Sequence, residues 1–285
     1  MKVLVAGSQS FLGQNLRRYY ADRSNFAVKY VSREDCDLSV SQELLSIVKS
    51  YKPDLLIHTA VSLASVDNNL RMYLALERAS TYCGKIVMIG SGAEYGHQRY
   101  RPAMPESFFD PISAPDNGHP YHLSKYLISR IHQSFPQNIY NFRVFGLYGP
   151  YEDYQRRLIS SNILSYLQHG SMTASANHAF DYLYVDDLIT AITTFADSAH
   201  TPKASTYNVC TGRADRFLYI LSQVVEALGG STEAITIDNP MPTDYIYSGN
   251  QSLFESEFDH KIEITSYGEA TLAIRDWLNA SILQG

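Results

Sequence analysis

Short apolar runs and longer amphipathic stretches alternate through the first half of the chain. Lys2–Ala6 is an apolar run without polar alternation, as in a strand buried on both faces. A glycine turn, Gly7-Ser8-Gln9-Ser10-Phe11-Leu12-Gly13, follows it, and Gln14–Tyr20 reads as a helix. Phe26–Val31, Asp54–His58 and Lys85–Ile89 then read as strands, with helices at Gln42–Tyr51 and Asn68–Tyr82 between them. This alternation predicts an α/β fold built on a doubly wound parallel sheet.

From Ser91 to Pro120 the chain becomes rich in Pro, Gly, Ser and aromatic residues. The segment is longer than a structural connection needs. It also leaves the carboxyl end of a strand, where ligands bind in such sheets. Tyr121–Ser134 reads as helix, Ile139–Phe145 as strand, and Gly146–Pro150 as a turn at a domain border. Beyond it, Leu158–Gln168 reads as helix, Tyr182–Val185 as strand, and Asp186 as the N-cap of another helix. Thr206–Val209, Phe217–Leu228 and Tyr267–Leu278 complete a smaller C-terminal α/β part. The expected organisation is a dinucleotide-binding domain over residues 1–150 and a mostly substrate-binding domain over 151–285. The segment around 181–200 is expected to return to the first domain.

A net charge of −6 argues against nucleic acid or an anionic membrane as the main partner. No apolar run approaches the ~18 residues of a membrane span, and the apolar start runs directly into a glycine turn, unlike a signal peptide. Cys36, Cys83 and Cys210 are odd in number and widely spaced, which fits reduced thiols and a cytoplasmic location. No Cys/His cluster has the spacing of a metal site. A homodimer is compatible with the sequence.

The chemistry centres on Tyr121 and Lys125. Four residues apart on a helix, they share one face. A phenol titrates near ~10, and an ammonium beside it favours the phenolate, so the pair can pass a proton to or from a carbonyl or hydroxyl. Strand, glycine turn and helix at the N-terminus form the context of a Rossmann dinucleotide fingerprint. Gly7 permits the tight turn and Gly13 close helix packing. The helix start at Ser10, Phe11 and Leu12 would face the pyrophosphate. An NAD-preferring site carries an acidic residue after the second strand; Ser32 and Arg33 stand there instead, and a guanidinium suits the extra phosphate of NADP(H). Asp37 and Leu38 close the segment where an adenine would rest. Thr59, Ala60 and Val61 are small enough for a cofactor to lie across them.

With these residues in view, the chain resembles the extended short-chain dehydrogenase/reductases that act on nucleotide sugars, the NAD-dependent epimerase/dehydratase family. Gly7-x-x-Ser10-x-x-Gly13 resembles the family's glycine loop, and His58-Thr59-Ala60 its third-strand signature. Ser91-Gly92-Ala93-Glu94-Tyr95-Gly96 resembles its catalytic serine block, Tyr121 and Lys125 its Tyr-x-x-x-Lys, and Arg143 to Pro150 its Arg-x-x-Asn-x-Tyr-Gly-Pro. Asp181 to Asp187 and Tyr207 to Gly212 match two further blocks in the family's order. The resemblance implies that Ser91 hydrogen-bonds the substrate oxygen and that Tyr121 is the acid/base. Lys125 would bind the nicotinamide ribose and lower the pKa of Tyr121. Ser91, Gly92, Ala93, Phe145 and Gly146 would line the substrate site.

Several positions depart from the family pattern. Ser10 replaces the middle glycine, which implies altered loop geometry. Gly146 stands where the family has an Asn, and Phe180 where an Arg meets the nucleotide diphosphate. Arg156 or Arg157 would then have to hold the diphosphate, unless the substrate lacks one. Gly92 and Ala93 stand in place of the dehydratases' Asp-Glu pair, and Ala93 in place of the cysteine of GDP-fucose synthase. His97 and His119 in the long loop are candidates for a second acid/base. The reading is an NADP(H)-dependent reductase of a keto-sugar, with a nucleotide-linked 4-keto-6-deoxysugar as substrate. The alternatives are a nucleotide-sugar 4-epimerase and a non-catalytic NADP-binding sensor.

Overall fold

The computed structural model describes residues 1–114, 118–134, 138–199 and 201–283. The N-terminal half runs β1 (Lys2–Ala6), α1 (Phe11–Tyr20), β2 (Ala27–Val31), α2 (Ser41–Tyr51), β3 (Leu55–His58), α3 (Val66–Ala79), β4 (Lys85–Ser91), α4 (Pro120–Ser134) and β5 (Ile139–Val144). Then follow β6 (Gly146–Tyr148), α5 (Leu158–His169), β7 (Met172–Phe180), β8 (Tyr182–Tyr184), α6 (Val185–Asp197) and β9 (Thr206–Asn208). The chain ends with β10 (Asp215–Arg216), α7 (Phe217–Ala227), β11 (Ile235–Tyr247), α8 (Ser252–Phe258) and α9 (Tyr267–Leu278).

Six strands form a sheet in the order β2-β1-β3-β4-β5-β9, every neighbouring pair parallel. Both faces are covered, which explains the unbroken apolar runs. On β1, Val3 and Val5 face the side packed by Leu16 of α1 and Ile192 and Phe195 of α6. Leu4 and Ala6 face the side packed by Leu44 and Val48 of α2 and Leu76 of α3. The strand still has a period of two, but each face meets apolar helices. The doubly wound parallel sheet predicted from the sequence is the sheet that forms. Among the described residues no helix is long and apolar enough to cross a membrane.

A second sheet holds β10, β7 and β11, with β11 parallel to β7 and β10 antiparallel to it. Neither β7 nor β11 was legible as a strand. β11 carries Pro240 and Pro242, and its pairing with β7 shifts register between Asn239 and Pro242 and again before Ile246. Proline cannot donate to the ladder, so the alternation that marks a strand is interrupted.

Three expectations need correction. Thr206–Asn208 was assigned to the C-terminal part but pairs with β5 at the edge of the main sheet. Gly146–Tyr148 is a short strand paired with β8, where a turn was expected. Asp186 lies inside the first turn of α6, and the capping position is Tyr184, whose side chain makes no cap bond.

Candidate functional site

Gly7 closes the first turn with φ +98°, and a Cβ there would meet the Ala60 nitrogen at 2.7 Å. Gly13 is as constrained, since a Cβ would lie 2.3 Å from the Gly7 carbonyl oxygen. Ser10, at the family's middle glycine, has φ −67° and needs no glycine freedom. Its hydroxyl accepts from Gly13 N at 3.0 Å and donates to Thr59 Oγ1 at 2.8 Å. The substitution therefore turns the loop residue into the N-cap of α1. It leaves the backbone N–H groups of Phe11 and Leu12 facing outward from the helix start. The Leu12 side chain is buried in the core, so only its backbone can serve a ligand.

A cavity of about 410 Å³ opens beside this turn, lined by Gly7, Ser10, Arg33, Asp37, Leu38, Ala60 and Val61 among others. Sequence reasoning missed Gln9, Ser32, Asn68 and Met72 of the same wall. Gln9 sits at a variable position of the glycine turn and Ser32 beside Arg33, whereas Asn68 and Met72 of α3 are brought to the wall only by folding. Asp35 follows the second strand, but its carboxylate is engaged by the Ser32 backbone N–H at 2.8 Å and hydroxyl at 2.7 Å. Asp37 is likewise held by Ser39. The exposed Arg33 makes no hydrogen bond or ion pair among the described residues, so its guanidinium is free toward the cavity.

At the carboxyl end of β4 the chain places Ser91, and α4 places Tyr121 and Lys125 opposite it. The Ser91 hydroxyl is close enough to the Tyr121 phenol to pull its pKa down. The Lys125 ammonium lies 5.7 Å from the centre of the Tyr121 ring and donates to the Ile89 carbonyl at 2.5 Å. Burial pulls the Lys125 pKa down to about 8, against the attraction of Glu94. His58, at the end of β3, is pushed to about 3 by burial and by Lys125, and is therefore neutral. Burial raises the Tyr121 phenol above its ordinary value. Ser91 pulls it down, Glu94 pushes it up, and Arg157 pulls it down.

Beneath the site lies a buried ion pair that sequence reasoning missed. Glu94 and Arg143 are in contact, with 1% and 0% of their side chains exposed. Glu94 also accepts from Ser91 N at 3.0 Å and from Asn141 Nδ2 at 3.1 and 3.2 Å. Ser91 and Glu94 form a capping box around a single turn of 3₁₀ helix. The Ser-x-x-Glu spacing was the available signal. Arg143 reaches Ser129 of α4 at 2.8 Å and the Tyr95 hydroxyl at 3.2 Å.

On the substrate side, Gly146 is explained by Tyr182: a Cβ on Gly146 would lie 2.7 Å from the Tyr182 ring. The Tyr182 ring leaves no room for a side chain at this position. Phe180 belongs to an aromatic group, packing against Phe217 at 5.1 Å, Tyr247 at 5.3 Å, Tyr245 at 5.7 Å and Tyr182 at 6.1 Å. Phe145, 9% exposed, packs on Tyr247 at 4.9 Å. Arg156 is held by Asp153 at 2.7 Å. Arg157 makes no ion pair among the described residues, and its charge acts on Tyr121 and Tyr182. Gly92 and Ala93 are buried beside Ser91. His97 and His119 flank His122, at ring separations of 6.5 and 5.1 Å, near the start of α4.

Glu94→Gln should destabilise the protein by about 3–5 kcal/mol, because it leaves the Arg143 charge buried and unpaired. A urea titration checks this, and an unchanged midpoint would show that the pair is dispensable.

A model of the NAD dependent epimerase/dehydratase family matches residues 3–210. Among solved structures, the chain is similar to dTDP-glucose 4,6-dehydratase from Bacillus anthracis in complex with NAD (TM-score 0.81, 17% identity, covering 99% of this chain and 98% of that one). It is similar to UDP-glucose 4-epimerase from Thermotoga maritima with UDP-glucose (TM-score 0.79, 18% identity, 99% and 100% covered). It is also similar to a GDP-L-fucose synthetase from Naegleria fowleri bound to NADP (TM-score 0.78, 13% identity, 100% and 94% covered). At such identities the structural likeness is one of fold. The family match takes in the glycine loop, the serine block, Tyr121 and Lys125, and on it this chain belongs to the NAD dependent epimerase/dehydratase family.

Proposed function

We propose that this protein reduces the carbonyl of a keto-sugar with NADP(H), the substrate being a nucleotide-linked 4-keto-6-deoxysugar. The observation that carries the reading is the convergence of Ser91, Tyr121 and Lys125 at the carboxyl end of the sheet. Lys125 lines a hollow that shares Ala60, Val61 and Met72 with the cavity walled by Gly7 and Arg33. The residues fit the cofactor: two glycines that admit no side chain, two outward N–H groups at a helix start, and a free guanidinium for the 2′-phosphate.

When bound, the nicotinamide supplies the hydride for the substrate carbon. Ser91 holds the substrate oxygen by a hydrogen bond. Tyr121 gives that oxygen a proton and becomes phenolate. Lys125 binds the nicotinamide ribose and places a positive charge beside the phenolate as it forms. Arg157, whose charge reaches Tyr121 and Tyr182, meets the negative charge of the nucleotide. The aromatic group around Phe180 offers ring faces to the rest of the substrate. A 4-epimerase would use the same three residues but keep its cofactor between turnovers; the free Arg33 supports the phosphorylated cofactor used for net reduction. A non-catalytic sensor has no use for a half-buried phenol set beside a serine and a lysine.

Tyr121→Phe should lower turnover by about 10²–10⁴-fold while NADPH binding stays within a few-fold. Loss of nicotinamide absorbance with 4-keto-6-deoxysugar nucleotides measures the first, and fluorescence titration the second. Comparable turnover in the variant rules out the acid role. Interconversion of two hydroxy-sugars without net absorbance change would favour the epimerase.

Arg33→Ala should weaken NADPH by about 1.5–3 kcal/mol, roughly ten- to over a hundredfold, and leave NADH nearly unchanged. Equal weakening of both would show that Arg33 does not read the phosphate.

Lys125 loses its proton as pH rises through about 8. The anionic cofactor favours the protonated form, so NADPH affinity should be level below that pH and fall above it. Lys125→Met should bind more weakly at neutral pH and lose the fall. A wild-type affinity that is flat across this range removes the role.

A further inference from the structure

A platform of rings leads away from Ser91 along the second sheet. Tyr247 of β11 begins it: a Cβ on Gly92, the residue after Ser91, would lie 2.5 Å from the Tyr247 hydroxyl. Tyr247 pairs in register with Phe180 of β7, and Ile246 with Ala179. Side chains alternate along a strand, so the next residues on this face lie two positions back. They are Tyr245 and His178, whose rings are 5.1 Å apart. The two rungs are in contact, since Tyr245 lies 5.7 Å and His178 6.3 Å from Phe180. Tyr100 closes one edge, 4.4 Å from Tyr247 and 5.7 Å from Tyr245. Phe217 closes the other, 5.1 Å from Phe180 and 5.7 Å from His178. Tyr247 is buried, whereas Phe180, Tyr245 and His178 are partly exposed, so the outer rung and Phe180 can meet a ligand.

His178 is fixed within this platform. Its Nδ1 and the Thr243 hydroxyl are hydrogen-bonded at 2.8 Å, and its Nε2 makes no hydrogen bond among the described residues. A threonine proton given to Nδ1 leaves the ring's own proton on Nε2, as a donor to an anion. The neighbouring guanidiniums are already engaged. Arg216 donates to the Asn177 and Thr243 carbonyls at 3.1 and 2.6 Å, and Arg213 pairs with Asp215 at 3.0 Å.

We propose that His178 is the phosphate contact of the substrate site, in place of the cation that Phe180 lacks, and that Phe180, Tyr245 and Tyr247 form the floor on which the sugar lies. The inference rests on the keto-sugar reading above and names where that substrate's phosphate goes. Two residues of strand span roughly 6–7 Å. A pyranose ring with its ketone at Ser91 and Tyr121 covers the first rung, and its anomeric phosphate comes to the second. Ring faces suit the C–H bonds of a sugar that has lost its 6-hydroxyl. His178 and Arg157 then share the two phosphates of a nucleotide sugar.

The test follows the imidazole signal of His178 in full-length protein carrying ¹⁵N-labelled histidine, with His178→Gln assigning it. The probes are inorganic pyrophosphate, then UDP, GDP, CDP and dTDP. Pyrophosphate and at least one of the nucleotides should move the His178 signal. His178→Ala should weaken the same probes roughly tenfold or more. Thr243→Val, which keeps the imidazole but frees it to turn, should weaken them roughly threefold, and it carries the test if His178→Ala fails to fold. In turnover, His178→Ala should raise KM roughly tenfold with kcat changed less than twofold. A His178 signal that no probe moves overturns the proposal, as does unchanged affinity in His178→Ala. An equal shift at the exposed His169 of α5 marks general anion binding and overturns it too. Pyrophosphate carries neither sugar nor base. The absence of turnover on every keto-sugar nucleotide would therefore count against the proposed function and leave this inference to the titration.

Discussion

The catalytic end of this molecule rests on the contact between Glu94 and Arg143. Two charges taken out of water are costly unless geometry and further hydrogen bonds offset the loss. Both conditions are met. The Glu94 carboxylate takes bonds from the Ser91 backbone, from Asn141 and from Arg143. Arg143 spends its remaining donors on Ser129 and Tyr95, and Tyr95 in turn donates to Asn208 of β9 at 2.9 Å. One ion pair thus joins β4, β5, α4 and β9, the four elements around the site. Gly90 makes the approach possible, since a Cβ there would lie 2.5 Å from Glu94 Oε1.

That constraint fixes where Ser91 and Tyr121 meet. Ser91 is the end of β4 and the cap of the turn that holds Glu94. Tyr121 stands on the helix that Arg143 grips through Ser129. The second sheet completes the arrangement from outside. Its strand β11 lays the Tyr247 hydroxyl against Gly92, and Ser248 and Gly249 beyond it bond to the long loop at Ala103 and Met104. Asp181, between β7 and β8, ties the same region together by accepting from Thr211 N at 2.9 Å and Gly212 N at 3.0 Å.

The departures from the family pattern become physical once neighbours are visible. Ser10 caps the helix that a glycine would leave uncapped. Gly146 is small because the Tyr182 ring occupies its flank. Phe180 packs into an aromatic set where the family places a cation. Gly146 and Phe180 both pack against Tyr182.

The sequence by itself determined the parallel sheet, since apolar runs that tolerate helices on both faces permit little else. It also marked the candidate site, because Gly7, Gly13, Ser91, Tyr121 and Lys125 lie in short motifs whose spacing carries their meaning. Local patterns speak for local geometry, and these residues are placed by the turn or helix they sit in. The tertiary structure alone decided the rest. It assigned Thr206–Asn208 to the main sheet, made strands of β7 and the proline-broken β11, paired Arg156 with Asp153, and brought the Tyr247 hydroxyl to Gly92. The sheet pairings depend on which surfaces meet across more than sixty residues of chain. Burial and pairing at such a distance leave no periodicity in the sequence that reports them.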